Sequence, residues 1–360
     1  MKKPMASGLE GVVAAQTALS HVDGERGELI IAGERVETLA GSQRFEQVCG
    51  RLWNVPEVDL GPARVWAATR FPALRELDGM DAMRAAVAQL PAKCTALEVT
   101  AAMGVFAAAW ARTSSGLAPV PPDPRLGHAA DVIRMIKGEP ARDELVAGLD
   151  AYLVTVIDHG MNASTFTARV IASTQSDLVS AVTGAVGALK GPLHGGAPGP
   201  VLDMLDAVGS PARATLWLEA ELAAGRRIMG MGHRIYRVRD PRAAVLERAV
   251  ERLELAGVTS KRLALARAVE RAATQVLAAR YPDRSLQANV EFYTAVLLDT
   301  VGLPRELFSP LFAVGRVAGW CAHFAEQQAT GKLIRPASEY VGPLPPSPRG
   351  GEGGGEGEPC

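Results

Sequence analysis

Apolar side chains recur at helical spacing through most of the chain. In SQRFEQVCGRLWN, Phe45, Val48 and Leu52 fall on one helix face, and MDAMRAAVAQL repeats the pattern over residues 80–90. The segment ALEVTAAMGVFAAAWAR is apolar nearly all round, as expected of a helix buried in a core or an interface. The pattern therefore predicts a mainly helical protein.

The same spacing predicts helices through the rest of the chain. The predicted helices are one that runs into His159, one from Thr165 to Ser173, one ending near Leu189, and others at 198–207, 211–224, 241–256 and 260–280, in NVEFYTAVLLDTVGLP and in LFAVGRVAGWCAHFAEQQA. Near the start, ELIIAG is the one compact run that favours β structure. The predicted fold class is therefore all-α, with a small β element near the N-terminus. Residues 343–360 are rich in Pro, Gly and Glu and are predicted to be disordered.

Composition and charge narrow the classes of partner. The chain is 48% hydrophobic and 5% aromatic with a formal net charge of -1, which argues against nucleic acids and anionic membranes as partners. Any preference for anions must then come from arginines gathered in a site. The four cysteines show no spacing that suits zinc, so we predict no metal and a reduced intracellular protein. The start MKKPMASGLEG lacks an apolar leader and no apolar run is long enough to span a bilayer, so we expect a cytoplasmic location.

Three loops combine histidine with glycine or small polar residues: DHGMNAS around His159, GPLHGG around His194 and MGMGHRIYRVRDPR around His233. A single histidine in a turn is more often structural than catalytic. The chain has only 6 histidines, however, and half of them fall at such helix junctions. Helix N-termini there favour anions and keep an imidazole neutral, so that it can donate a hydrogen bond to a developing enolate.

Two further motifs allow both a structural and a functional interpretation. GMGH lacks the spacing of a dinucleotide-binding loop, and DPR is consistent with a simple helix start, with Asp240 as N-cap and Pro241 at the first position. Glu291 stands at the head of an apolar helix, and taken alone its position favours satisfaction of free N–H groups. The functional interpretation is a general base in a partly dry cleft.

Taken together, the motifs resemble the citrate synthase family. DHGMNASTFTARV, GPLHGGA, GMGHRIYRVRDPR, NVEFY, LFAVGRVAGW and LIRPASEYVG occur in that family's order and approximate spacing, and the resemblance extends from GLEGVVAAQTALSHVDGERGELIIAG to about Gly342. It implies a largely helical homodimer, with a large domain of residues 1–205 and 300–342 and a small domain of residues 206–299 on the coenzyme A side. The implied reaction condenses acetyl-CoA with oxaloacetate and hydrolyses the thioester to citrate and coenzyme A. Coenzyme A enters as a thioester co-substrate, and no metal or redox cofactor takes part.

The resemblance also implies roles for individual residues. His194 matches the donor to the thioester carbonyl, His233 the residue that polarises the keto group of oxaloacetate, and Glu291 the catalytic base. The implied oxaloacetate-binding residues are His159, Asn162, Arg242, Arg316 and Arg335, the last reaching across from the partner subunit. The implied coenzyme A contacts are Gly230, Gly232, Arg237 and Arg284. Local guanidiniums are what a dianionic substrate requires in a chain of nearly zero net charge.

Two departures from the family pattern bear on function. The family's usual base is aspartate, and the side chain of Glu291 places its carboxylate one methylene further out. Such a displacement costs on the order of a hundredfold in rate if the backbone does not compensate. Gly160 replaces an acid that often follows the first histidine, and we expect no loss of function from that change.

Two alternatives stay open beside a citrate synthase. One is a 2-methylcitrate synthase that uses propionyl-CoA, since one extra methylene changes a pocket's preference only modestly. The other is a paralogue of low or no activity that binds coenzyme A or oxaloacetate, which the Asp-to-Glu departure motivates.

Overall fold

A computed structural model describes residues 8–9, 11–72, 74–194, 198–260 and 262–343. The predicted disordered tail lies outside these residues except for Pro343. Within them the regular secondary structure is mostly helical, as the periodicity predicts. The strands are β1 Ser20–Asp23, β2 Glu28–Ile31 and β3 Glu34–Arg35, and the helices are α1 Val36–Leu39, α2 Phe45–Trp53, α3 Gly61–Ala68, α4 Gly79–Val87, α5 Ala96–Ser114, α6 His128–Lys137, α7 Asp143–Val156, α8 Ala163–Ser173, α9 Leu178–Leu189, α10 Gly199–Val208, α11 Ala214–Ala223, α12 Pro241–Leu255, α13 Leu263–Arg280, α14 Val290–Val301 and α15 Phe308–Thr330.

Helix α5 lies at the centre of one helical layer. It begins with a capping box in which Thr95 and Glu98 satisfy each other's backbone N–H groups, and it is buried on every side from Val99 to Ala111. Helices α3, α4, α6 and α15 pack around it. The all-round apolar sequence of this segment therefore indicates a core helix, as predicted.

Helix α15, which carries Arg316, crosses α7 closely. A Cβ atom added at Gly315 would lie 2.5 Å from Val156 Cγ2 and 3.1 Å from the Leu153 carbonyl oxygen. At Gly319 it would lie 2.3 Å from the Ile157 carbonyl oxygen. Only glycine at both positions lets the two backbones approach this far.

The predicted β element is a three-stranded antiparallel sheet in the order β1, β2, β3. Its first turn contacts the loop that precedes α12: Arg237 N–H donates to the Gly24 carbonyl at 2.9 Å. A Cβ atom at Gly24 would lie 2.4 Å from the Ile235 carbonyl oxygen, so a side chain there would push the turn away. The sheet thus covers the loop that carries His233.

Several predicted helix ends shift by a few residues. The helix predicted to run into His159 ends at Val156, and the one predicted from 211 begins as a 3-10 turn, Pro211–Arg213, before α11. Helix α12 packs on α14 and α7, while α11 packs on α13. The proposed division into residues 1–205 with 300–342 and residues 206–299 therefore places α12 in contact with a helix of the other segment.

Candidate active site

Two of the three predicted histidines lie side by side. The rings of His159, which follows α7, and His233, which precedes α12, have centroids 5.5 Å apart in an edge-on arrangement. Tyr236 joins them: its ring centroid lies 4.7 Å from that of His233, and its hydroxyl lies 3.1 Å from His159 Nε2. The fold therefore brings segments 74 residues apart in sequence into one site.

The third histidine, His194, is held at the N-terminus of α8. Ser164 N–H donates to His194 Nε2 at 3.2 Å, and the Ser164 hydroxyl lies 2.8 Å from the same nitrogen. Because a backbone N–H can only donate, Nε2 accepts, and the neutral ring carries its proton on Nδ1. His194 is thereby prepared as a hydrogen-bond donor through Nδ1. The two glycines that follow it lie outside the described residues.

Backbone donors also set the tautomer of His233. The N–H groups of Ile235 and Tyr236 donate to His233 Nδ1 at 3.0 and 3.1 Å, so the neutral ring carries its proton on Nε2. That nitrogen lies 3.3 Å from Arg242 Nη2. Two N–H donors therefore face the same space, which suits a carbonyl or carboxylate oxygen.

All three imidazoles are neutral near pH 7. Burial, with smaller effects of nearby guanidiniums, lowers the pKa of His194 and of His233 to about 4 each. Burial together with Arg242 holds the pKa of His159 well below its usual value. Arg242 acts on all three rings and Arg316 on His159 and His194, so these groups share one electrostatic environment.

Arg242 is fixed by the residue that caps its own helix. Asp240 accepts the Arg242 backbone N–H at 3.0 Å as the N-cap of α12, which confirms the predicted helix start. Its carboxylate also accepts Arg242 Nε at 3.0 Å and Nη2 at 2.8 Å. Burial alone would lower the pKa of Arg242, but Asp240 outweighs it and raises that pKa. These bonds hold the Arg242 guanidinium rigidly, and they leave its Nη1 outside the pairing with Asp240.

Arg316, on α15, is a buried cation with an unused donor. It is 1% exposed, its Nε donates to the Val156 carbonyl at 2.6 Å, and its guanidinium carbon lies 4.8 Å from the Phe312 ring centroid. No described residue accepts a hydrogen bond from Arg316 Nη2. Burial lowers the pKa of Arg316 to about 10, so it stays charged. A buried guanidinium in this state is suited to an anionic ligand.

Glu291 supplies the carboxylate of the site. Asn289 caps α14 by accepting the Glu291 N–H at 3.0 Å, so the helix does not depend on the Glu291 side chain for its cap. Burial raises the pKa of Glu291 to about 7, with Arg242 and Arg227 acting in the opposite direction. A carboxylate whose pKa lies near the working pH is well matched to proton transfer.

The other predicted contacts are exposed or already engaged in hydrogen bonds. Asn162 is the N-cap of α8, and its side-chain oxygen accepts Thr165 N–H at 3.1 Å. Gly230 and Gly232, with φ of 72° and 86°, pair with residues 287–289, and Gly232 N–H donates to Gln287 O at 2.7 Å. Arg237, Arg284 and Arg335 are exposed. Their assigned roles stay predictions.

Several contributors to the site were not singled out from the sequence. Ser164 and Trp320 stand inside the motifs DHGMNASTFTARV and LFAVGRVAGW, and Trp320 Nε1 donates to the Ser164 hydroxyl at 3.1 Å. Tyr236 stands inside the His233 motif. The sequence motifs include these three residues, but the contacts of their side chains join segments that meet only in the folded chain.

A second buried network supports the turn before His159. His323 Nε2 lies 3.2 Å from Asp158 Oδ1, and its Nδ1 lies 2.9 Å from Arg169 Nη1. Arg169 pairs with Glu326, and the Ser20 hydroxyl donates to Asp158. The turn that carries His159 is therefore tied to α8, α15 and the start of β1.

A metal-binding cluster and a membrane-spanning helix are both absent from the described part of the chain. It contains no cluster of three or more His, Cys, Asp or Glu side chains placed to hold a metal ion. None of its helices has both the length and the apolar character needed to cross a membrane.

The fold and site define a mainly helical protein in which buried arginines, neutral imidazoles and one carboxyl group share one electrostatic environment. The family model described as citrate synthase, C-terminal domain, matches residues 8–337. The chain belongs to the citrate synthase family.

Known members of this family are similar over nearly their full length. A Mycobacterium tuberculosis protein named "Putative citrate synthase 2" is 40% identical, with 96% of this chain and 95% of that protein aligned. A 2-methylcitrate synthase of the same species is 35% identical over 93% of this chain and 90% of its own. The solved citrate synthase of Thermoplasma acidophilum, in a ternary complex with carboxymethyl coenzyme A and oxaloacetate, is 27% identical with a TM-score of 0.83, covering 94% of this chain and 96% of that one.

Proposed function

We propose that the protein condenses acetyl-CoA with oxaloacetate and water to give citrate and coenzyme A, a reaction of the tricarboxylic acid cycle. The observation that carries the proposal is Arg316, a charged and buried guanidinium whose Nη2 has no acceptor among the described residues. A dicarboxylate substrate supplies that acceptor. The Thermoplasma relative, whose complex holds oxaloacetate and a coenzyme A derivative, supports the same pair of substrates.

The first chemical step needs a base and a donor on opposite sides of the thioester. Ionised Glu291 takes a proton from the acetyl methyl group, and His194 Nδ1–H donates to the thioester carbonyl oxygen as the enol forms. The Ser164 N–H bond to His194 Nε2 keeps the donating tautomer in place. Because the imidazole is neutral, it stabilises the developing oxyanion as a hydrogen-bond donor without carrying a charge of its own.

The second step joins the two substrates. The enolate carbon attacks the keto carbon of oxaloacetate, and the electrons of the C=O π bond move to the keto oxygen. That oxygen accepts hydrogen bonds from His233 Nε2–H and Arg242, and it takes up one proton, equivalent to the one that Glu291 removed, to become the citryl hydroxyl. Arg242 and Arg316 hold the carboxylates, and His159 is a further oxaloacetate-binding residue. Water then hydrolyses the citryl thioester, releasing citrate and coenzyme A. In both steps the histidines act as neutral imidazoles, the form that burial favours.

The proposed domain division gives these steps a structural frame. His159, His194 and Arg316 belong to the proposed large domain, whereas His233, Arg242 and Glu291 belong to the proposed small domain. Relative movement of the two would open and close the site. We also propose a homodimer in which Arg335 serves the partner's site, with Arg237, Arg284 and the Gly230–Gly232 backbone contacting coenzyme A. Cytoplasmic location stays a prediction.

One assay tests the proposal and its alternatives. The purified protein is incubated with oxaloacetate and either acetyl-CoA or propionyl-CoA, and free thiol release is followed. We expect turnover with acetyl-CoA to exceed that with propionyl-CoA. The reverse order would favour 2-methylcitrate synthase, the activity named for the 35% identical relative. Release with neither thioester, together with retained binding of oxaloacetate, would favour the inactive paralogue.

A further inference from the structure

Two buried donors on α7 and α15 have no acceptor among the described residues. One is Arg316 Nη2, described above. The other is the hydroxyl of Tyr152 on α7, which is fully buried and makes no hydrogen bond to any described residue. Leaving a buried hydroxyl unpaired costs free energy, so a partner for this hydroxyl is expected.

The two donors belong to the same helix crossing. Arg316 Nε donates to the carbonyl of Val156, which lies one turn after Tyr152 on α7. Residues four apart share a helix face, so Tyr152 and Val156 lie on the same side of α7. At this crossing the α15 backbone at Gly315 approaches α7 closely enough that an added Cβ would lie 2.5 Å from Val156 Cγ2. The phenol therefore lies beside the turn that holds Arg316.

The charges around the phenol are those of the site. Burial raises the pKa of Tyr152, with Arg316 as the strongest charge opposing that shift and Glu291 adding to it. The hydroxyl therefore stays protonated and acts as a donor. The phenol oxygen can accept as well as donate, but neither it nor Arg316 Nη2 has a hydrogen-bond partner among the described residues. An anion beside Arg316 satisfies both.

We propose that Tyr152 is an oxaloacetate-binding residue whose hydroxyl donates to the same substrate carboxylate that Arg316 binds. This inference rests on the proposed function, because it takes oxaloacetate as the anion. The role of the Tyr152 hydroxyl is to favour a carboxylate at this position, since an apolar group in the same place would leave two donors buried and unpaired. Tyr152 is thus assigned to substrate recognition and not to proton transfer at Glu291.

The test is Tyr152→Phe, which removes one oxygen and little volume. Because that oxygen has no partner in the free protein, we expect the thermal unfolding midpoint without ligand to stay the same or rise. Calorimetric titration with oxaloacetate, in the absence of acyl-CoA, should show affinity about ten- to one-hundredfold weaker, the usual range for a hydrogen bond to a charged group. The KM for oxaloacetate should rise in parallel while the KM for acetyl-CoA changes less than about twofold.

Tyr293→Phe is the matched control. Its hydroxyl donates to Glu270 Oε2 at 2.7 Å within an ion-pair network between α12, α13 and α14, so its loss should leave oxaloacetate affinity unchanged. A Tyr152→Phe protein that binds oxaloacetate normally overturns the inference, as does a fall in kcat at unchanged affinity, which would assign the hydroxyl to Glu291. A free variant that is unfolded or less stable also overturns it, because the hydroxyl would then have a structural partner. Failure of the wild type to bind oxaloacetate would instead refute the proposed function.

Discussion

At the scale of single residues, burial decides the chemistry of this site. It neutralises three imidazoles that in water would be partly charged near pH 6, while raising the pKa of Glu291 to about 7. The two effects are complementary, because neutral donors do not repel the cationic arginines and a weakly basic carboxyl can exchange protons near neutrality. Glu291 therefore has the ionisation behaviour of a base despite being one methylene longer than aspartate.

The pH dependence of turnover follows from Glu291. Because the base is active only when ionised and its pKa is about 7, kcat should fall about tenfold per pH unit below that value and level off above it. Glu291→Gln should abolish turnover at every pH, with oxaloacetate affinity retained. Thiol release measured from about pH 5.5 to pH 9 checks both expectations. A flat profile in this range would contradict the assignment of Glu291 as the base.

At the scale of elements, Asp240 couples two helices that carry site residues. Its carboxylate caps α12, pairs with Arg242 and accepts Val290 N–H at 3.1 Å from the first turn of α14. Asp240 is 1% exposed, so these partners replace water around its carboxylate. One carboxylate thus sets the position of the Arg242 guanidinium and of α14, whose first turn carries Glu291.

Replacing Asp240 should therefore affect stability and binding together. Asp240→Ala leaves Arg242 buried without its counter-ion, and we expect a loss of about 3–5 kcal/mol in the free energy of unfolding along with weaker oxaloacetate binding. Asp177→Ala is the control, since Asp177 caps α9 by accepting Ser180 N–H at 2.9 Å and pairs with no buried arginine. It should cost about 1 kcal/mol and leave binding unchanged. Urea unfolding and calorimetry would show equal effects of the two variants if Asp240 were only a cap.

At the scale of the whole molecule, Arg335 follows a residue that is held far from the N-terminal end of α8. Ile334 N–H donates to Ser173 Oγ at 3.1 Å, so this segment lies at the C-terminal end of α8, whereas Ser164 and His194 meet at its N-terminal end. A helix of 11 residues places these ends about 16 Å apart. The separation supports a role for Arg335 in a neighbouring subunit's site.

Mixed dimers test that role. Arg335→Ala and Glu291→Gln should each be nearly inactive alone. If Arg335 serves the partner's site, dimers formed by coexpressing the two variants contain one intact site each, and about a quarter of wild-type activity should return at random pairing. Separately purified and mixed proteins that do not exchange subunits are the control. No recovery in coexpressed dimers would place Arg335 in its own subunit's site or outside function.

Much of the fold was predictable because helix signals are local. The apolar run of α5, the Asp240-Pro241 start of α12 and the apolar head of α14 depend on neighbours within a few residues. The helix predicted to reach His159 stops at Val156 instead, since the following turn is held by Ser20 and His323, which are remote in sequence. Local patterns carry no information about such contacts.

Periodicity and residue order specify the helical class, the ordered motifs and hence the family, because these signals are present in the sequence without coordinates. Folding adds that the neutral His194 ring carries its proton on Nδ1, that Arg316 Nη2 and the Tyr152 hydroxyl have no partner among the described residues, and that Asp240 joins α12 to α14. Protonation and hydrogen bonding depend on burial and on charges contributed by distant segments. Those quantities exist only once the chain has folded.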